Sequence, residues 1–386
     1  MLTLTILPAT INETTYVRPA AAENAMICGI LGRYISTPQG THSHSRMARK
    51  PKDRGSRAAT LHDVAAQVGV SAITVSRALN APERVSETVR ARILAAVDDL
   101  GYVPNRSART LVSARSHTVV VLIPSLSNTV FIDTLAGISD VLDPHNYQIL
   151  IGNTGYDDAR EERLLRAYLS HAPDGILLTG LRQSAGMRNW LSKLDIPVVH
   201  MMALDQHSER FCVGFSQQAA GQALTQHLIA QGYKNIAFFG ARLDERVMQR
   251  AAGYRQALAE AGVYRGELEF LRPQHSSIGL GAEMIASNLA AHPEIDAVFC
   301  CNDDLALGVL TYCQRNGIAV PTRLAVAGFN DLDGAAWATP TLTTVRTPRF
   351  AVGHEAASML LSLMEGNTPA QQQYDLGFTL QLRESA

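Results

Sequence analysis

The chain has 386 residues, room for two or three domains, and 46% of them are hydrophobic, ordinary for a globular protein with a full core. It contains no run of eighteen apolar residues, which argues against a membrane-spanning helix. The formal net charge of −1 conceals a division: Arg46 to Ser116 carries an excess of seven positive charges, and the remainder an excess of eight negative ones. A small basic segment on an acidic body is the electrostatic footprint of a nucleic-acid-binding head.

Residues 1–57 read as a disordered extension. Leu2 to Leu7 is largely apolar but lacks a preceding basic region, so a secretory signal is not expected. Thr37 to Arg46 is rich in Pro, Gly, Ser, Thr and His, and His42 and His44 read as solvated rather than metal-bound. Met47, followed by Ala48-Arg49-Lys50-Pro51-Lys52, is a candidate natural start with a basic lead. Five cysteines (Cys28, Cys212, Cys300, Cys301 and Cys313) have no CxxC spacing. They predict buried free thiols in a reducing cytoplasm, not a disulfide frame or a zinc site.

Residues 58–103 predict three short helices. Leu61, Val64, Ala65 and Val68 fall on one helical face, with Thr60 as N-cap and Asp63 three residues on as a capping-box partner. Gly69 supplies the tight turn and Val70 packs inward. Ser71 caps a second helix whose core side holds Val75, Ala78 and Leu79. Two short helices joined by a glycine turn predict a helix-turn-helix. A third helix from Ser86, its expected cap, to Leu100 carries Val89, Ile93, Ala96, Val97 and Leu100 as its stripe and stops at Gly101. The second helix would enter the major groove, with Ala72, Ile73, Thr74, Ser76 and Arg77 outward. Arg77 suits a bidentate pair with guanine, and Ala72 and Ile73 suit a thymine methyl. Residues 104–117 predict a hinge. Pro104 can open a helix, but a turn or two cannot persist alone.

From residue 118 to the end, strand and helix alternate. Buried strands are expected at His117–Pro124, Tyr147–Ile151, Gly175–Thr179, Pro197–His200, Asn235–Gly240, Ala297–Cys300 and Leu324–Phe329. Helices are expected at 129–143, 158–171, 216–231, 247–262, 279–291 and 303–316. That rhythm predicts doubly wound α/β layers in two lobes, with ligand held at the carboxyl ends of strands. The candidates after strands are Ser125, Asn128 and Phe131, then Arg242, Arg246 and Arg250, then Asp303, then Asp331. Arginine forks suit a carboxylate, and aspartates suit hydroxyls. Alternatives stay open: Asn302 or Asp303 as a helix cap, and Arg242 and Arg246 as ion pairs with Asp244 and Glu245. No HExxH, P-loop, nucleophile elbow or GxGxxG after a strand occurs, and Gly279-Leu280-Gly281 alone is weak. Neither catalytic residues nor a cofactor or metal are expected.

Leu61 to Asn80, with Val85-Ser86 and Gly101-Tyr102-Val103-Pro104-Asn105-Arg106, strongly resembles the head of the lactose-repressor (LacI) family. The body resembles that family's effector core, which is similar to periplasmic sugar-binding proteins. Val121–Asn128, Gly240–Arg246, Asn302–Ala306, Cys313–Arg315 and Asp375–Leu380 look closest to gluconate-utilisation repressors. The resemblance implies an α/β chain: a three-helix helix-turn-helix head with a hinge helix, then a two-lobed, doubly wound, parallel-sheet effector domain. It implies a cytoplasmic homodimeric repressor, released from double-stranded operator DNA by gluconate or a related sugar acid. DNA contacts would come from Thr60, Ser71, Ala72, Ile73, Thr74, Ser76, Arg77 and Asn80, and from Asn105, Arg106, Ala108 and Leu111 in the hinge, with Leu111 as a minor-groove wedge. Arg250 and Asp303 would be the effector-binding pair.

Overall fold

The computed structural model describes residues 59–103, 115–205 and 210–386. The extension, Met47, Cys28 and the hinge residues Asn105, Arg106, Ala108 and Leu111 lie outside the described residues. The chain divides after Val103 into two compact units.

The first unit is three helices: α1 (Leu61–Val68), α2 (Ala72–Asn80) and α3 (Glu87–Leu100). Thr60 and Asp63 form the capping box: the Asp63 amide donates to the Thr60 hydroxyl, and the Thr60 amide donates to the Asp63 carboxylate at 2.8 Å. Gly69 sits at φ 74°, the left-handed turn that separates α1 from α2. The Ser71 hydroxyl accepts from the Thr74 amide, but Ser86 at the start of α3 makes no side-chain cap bond. Val64, Ala65 and Val68 meet Val75, Ala78, Ile93 and Ala96 in a closed core. Tyr102 joins that core from beyond the last helix, where helical periodicity cannot flag it.

The second unit holds two lobes. In lobe 1, β1 (Thr118–Ile123), β2 (Gln148–Asn153), β3 (Gly175–Thr179), β4 (Val198–Met201), β5 (Phe211–Gly214) and β11 (Gln373–Asp375) form one parallel sheet, ordered β11-β5-β4-β3-β1-β2. Around it lie α4 (Val130–Leu142), α5 (Asp158–Leu169), α6 (Ala185–Leu191) and α12 (Arg349–Met364). In lobe 2, β6 (Ile236–Ala241), β7 (Glu269–Arg272), β8 (Ala297–Cys300) and β9 (Ala325–Ala327) form a parallel sheet ordered β7-β6-β8-β9. Its helices are α7 (Gln217–Ala230), α8 (Glu245–Glu260), α9 (Ile278–Ala291), α10 (Asp303–Arg315) and the short α11 (Asp333–Trp337). A two-stranded antiparallel ribbon, β10 (Thr344–Arg346) with β12 (Thr379–Gln381), completes it.

The chain passes between the lobes three times: from β5 into α7, from β10 into α12, and from β11 into β12. Each lobe has its own aliphatic and aromatic core. All seven expected strands and six expected helices of this unit are present within a few residues. Strands β5, β7 and β10–β12 and helices α6, α11 and α12 were not foreseen. Helix α12 escaped because it is buried on two sides, between α4 and the sheet, so it lacks one apolar stripe. Gly353 is what lets it sit there: a Cβ would come 2.0 Å from the Thr134 carbonyl oxygen of α4. Cys212, Cys300, Cys301 and Cys313 are free and buried. Among the described residues no helix is long and apolar enough to cross a membrane.

Candidate functional site

On the head, the outward side of α2 is unevenly exposed. Arg77, Asn80 and Ser71 are exposed, and Ile73 is 64% exposed although it is a large aliphatic group. Ala72, Thr74 and Ser76 are half-buried between them. An isoleucine left in water is available for an apolar contact such as a thymine methyl. Four polar side chains are already engaged. The Thr60 hydroxyl donates to Asp63 at 2.6 Å, Ser71 and Thr74 share a hydrogen bond of 2.8 Å, and Asn80 donates to the Ser76 carbonyl at 2.9 Å.

In the body, a cavity of about 110 Å³ opens at the carboxyl ends of the strands of both lobes. Ser125, Asn128 and Phe131 reach it after β1, Tyr156 after β2, Arg242, Arg246 and Arg250 after β6, Ser276 after β7, Asn302 after β8, and Asn330 after β9. Two strands of the lobe 1 sheet, β1 and β2, and all four of the lobe 2 sheet contribute from their carboxyl ends, where doubly wound sheets hold ligands.

The three arginines are fixed differently. Arg250 is buried on α8; its Nε donates to the Gln217 side-chain oxygen at 2.9 Å and its Nη1 to the Cys301 carbonyl at 2.6 Å. Its guanidinium lies over the Phe329 ring, 3.8 Å from the ring centre. Burial pulls its pKa down to about 10, still a charged group at neutral pH. Arg246 pairs with Asp244 at 2.7 Å, with Phe131 and Tyr156 within 5.5 and 6.0 Å of it. Burial opposes the Asp244 charge, yet Arg246 beside it and the Val247 amide hold its carboxyl below the usual range. Arg242 hydrogen-bonds His275 and stacks on Tyr156, 4.1 Å from the ring centre. The Arg246–Asp244 pair is therefore half-buried in the cavity wall, not an exposed surface pair.

Of the eight effector candidates, Ser125, Asn128, Phe131, Arg242, Arg246 and Arg250 line this cavity together. Asp303 and Asp331 do not. Asp303 is fully buried, and its carboxylate accepts from the Thr344 hydroxyl at 2.6 Å and the Leu332 amide at 2.7 Å. Burial raises its pKa to about 6. Asp331 points to the far side of its turn, between Arg346 at 2.6 Å and Arg383 at 2.7 Å. In both cases the neighbouring residue takes the expected place: Asn302 and Asn330 line the cavity. Asn302 also caps α10, its side-chain oxygen accepting from the Leu305 amide at 3.1 Å. Tyr156 was missed. Its signal was the polar turn Asn153-Thr154-Gly155 closing the second strand, the same strand-end logic that found the others.

A helix-turn-helix head joined in one chain to a two-lobed, cleft-bearing α/β body defines a ligand-responsive transcriptional regulator. Residues 60–105 match the bacterial regulatory proteins of the lacI family, and residues 225–386 match the periplasmic binding protein-like domain. The HTH-type transcriptional regulator GntR of Pseudomonas aeruginosa is 47% identical over 84% of this chain and 95% of its own length. GntR of Escherichia coli K12 is 40% identical over 83% of this chain and 96% of its own. The crystal structure of transcription regulator GntR from Chromobacterium violaceum superposes with a TM-score of 0.68 at 56% identity, covering 69% of this chain and 98% of that one. The chain belongs to the LacI family of bacterial transcriptional regulators. Like these relatives it is a regulator of transcription and not an enzyme.

Proposed function

We propose that the protein represses genes of sugar-acid utilisation, gluconate above all, and leaves its operator when the sugar acid occupies the inter-lobe cavity. One observation carries the choice of ligand. Three guanidiniums, of Arg242, Arg246 and Arg250, line the cavity with two carboxylates, of Asp244 and Asp304. The lining thus holds one formal positive charge, the complement of a single carboxylate. Ser125, Asn128, Asn302 and Asn330 supply the neutral donors and acceptors that a row of hydroxyls needs. The relatives named GntR and the gluconate-repressor likeness of Gly240–Arg246 support the same ligand.

The protein acts as a cytoplasmic homodimer on double-stranded operator DNA, associated with the nucleoid. Residues 58–103 read the major groove, residues 104–117 serve as hinge, and residues 118–386 bind ligand and pair the subunits. One short recognition helix specifies too few base pairs, whereas two, about 34 Å apart, match a palindrome. Ligand favours closed lobes, and the change is transmitted to the paired hinges, which melt when separated. Calorimetry with gluconate, a neutral hexose and a phosphorylated hexose tests the ligand. Gluconate is expected to bind, and Arg242→Gln to weaken it about tenfold or more, the scale of a charge-assisted hydrogen bond. Tight binding of the neutral hexose with none of gluconate would overturn the assignment.

A further inference from the structure

The turn that follows β9 is held in an unusual shape. Asn330 and Asp331 are consecutive, neither is glycine, and both have positive φ, 112° and 54°. Such a backbone persists only where its surroundings over-determine it. From lobe 2, the Asn330 amide donates to the Val345 carbonyl at 2.9 Å. Asp303 accepts the Leu332 amide, and Arg346 and Arg383 grip the Asp331 carboxylate. The side chain of Asn330 lines the cavity.

A further hold comes from the other lobe. Arg349 is the first residue of α12, immediately after the chain crosses from β10. Its Nη1 donates to the Asn330 carbonyl, and both Nη atoms reach the Asp331 carbonyl at 3.4 Å. On its other edge, Nε donates to the Asp133 carboxylate of α4 at 2.8 Å. Helix α4 carries Val130 and Phe131 into the same cavity. One planar cation therefore connects the strained turn of lobe 2 to the cavity-bearing helix of lobe 1.

We infer that Arg349 is a positioning residue: it keeps the Asn330–Asp331 turn in the shape that places Asn330 in the cavity wall, and it passes ligand occupancy to α4. The second clause rests on the effector reading of the cavity; the first does not. The role needs a guanidinium. Its fork serves two carbonyls on one edge and a carboxylate on the other, whereas a lysine ammonium on the same path is a single point charge.

The test uses the full-length protein with Arg349→Met, Arg349→Lys and Asp133→Asn. Hydrogen exchange of amides 329–333 is measured without ligand, and D-gluconate is titrated with and without operator DNA. Both Arg349 variants are expected to exchange at least about tenfold faster at 329–333, on the scale of a local opening. Asp133→Asn, which leaves the carbonyl grip in place, should keep most of that protection. It should also shrink the ratio of gluconate affinities measured with and without operator towards one. Parental exchange in Arg349→Met, or full recovery of protection by Arg349→Lys, would overturn the inference. So would a parental affinity ratio in Asp133→Asn. If Arg349→Met fails to fold, Arg349→Lys decides the first clause and Asp133→Asn the second. Failure of the parent to bind gluconate counts against the sugar-acid reading and with it the relay to α4, while the exchange data still decide the role in the turn.

Discussion

Asp303 shows how one carboxylate can be displaced from the role its neighbourhood suggests. It begins α10 at the edge of the cavity, but its oxygens are turned inward to the Thr344 hydroxyl and the Leu332 amide. Gly328 makes this possible, since a Cβ there would meet the Asp303 oxygen at 2.3 Å. Burial lifts its pKa to about 6, above the usual carboxylate value of 3.8. Between those values the folded state binds more protons than the unfolded one, so this group's contribution to stability falls as pH rises through the window. Glu161, lifted by burial to about 7, acts in the same direction. Urea denaturation between about pH 4 and pH 7 should therefore show a shallower loss of stability in Asp303→Asn than in the parent. An unchanged slope would mean that the buried carboxylate does not govern it. Residue types and strand-end positions were legible in the sequence; which of two adjacent residues faces the cavity was not. Asn302 and Asp303, or Asn330 and Asp331, differ only in backbone direction at a turn, and positive φ at Asn330 and Asp331 leaves no mark in composition.

Helices that touch through glycine set the geometry of lobe 1. Gly353 on α12 faces the Thr134 carbonyl, and Gly137 on α4 faces the Phe350 carbonyl, where a Cβ would come within 2.2 Å. Gly353→Ala must push two backbones apart and is expected to cost about 1–3 kcal/mol, read from the urea midpoint of the body. Gly279→Ala is the contrast. A Cβ there meets only the Ser277 hydroxyl at 3.8 Å, so the lower entropy of the unfolded chain should dominate and stabilise by about 0.4–1 kcal/mol. Equal effects at the two sites would refute the packing account. The head was legible almost to the residue because its caps, its glycine turn and its stripes are local signals. Among the described residues of the body, seven of twelve strands and six of nine α-helices were legible for the same reason. Helix α12 was not, because its partners β3 and β4 are far away in sequence and their burial of its second face erases the stripe.

At the scale of the whole molecule, charge is divided between two tasks. The basic excess from Arg46 to Ser116 belongs to the DNA reader, and the inter-lobe cavity lies in the acidic remainder. Operator affinity should fall steeply with salt, with a slope of about −0.9 per phosphate contact, while gluconate affinity should change far less. Arg77→Ala should cost about 1–3 kcal/mol in operator binding and relax preference at one base pair. A panel of operator variants read by fluorescence anisotropy checks this; an unaltered preference would remove Arg77 from base reading.

The order of segments along the chain also dictates an order of completion. The three helices of the head are neighbours in sequence and can close as soon as they are made. Lobe 1 cannot: the helix that covers α4, β3 and β4 arrives only after most of lobe 2 has been synthesised. Even the last strand pairing of lobe 2, β10 with β12, waits for Thr379–Gln381, and β9 waits for Ser385, whose hydroxyl donates to the Val326 carbonyl at 2.6 Å. A growing chain thus owns a finished DNA reader well before it owns a ligand sensor. In that interval the uncovered face of α4 and its sheet is exposed apolar surface, the kind that draws nascent chains into aggregates or onto chaperones.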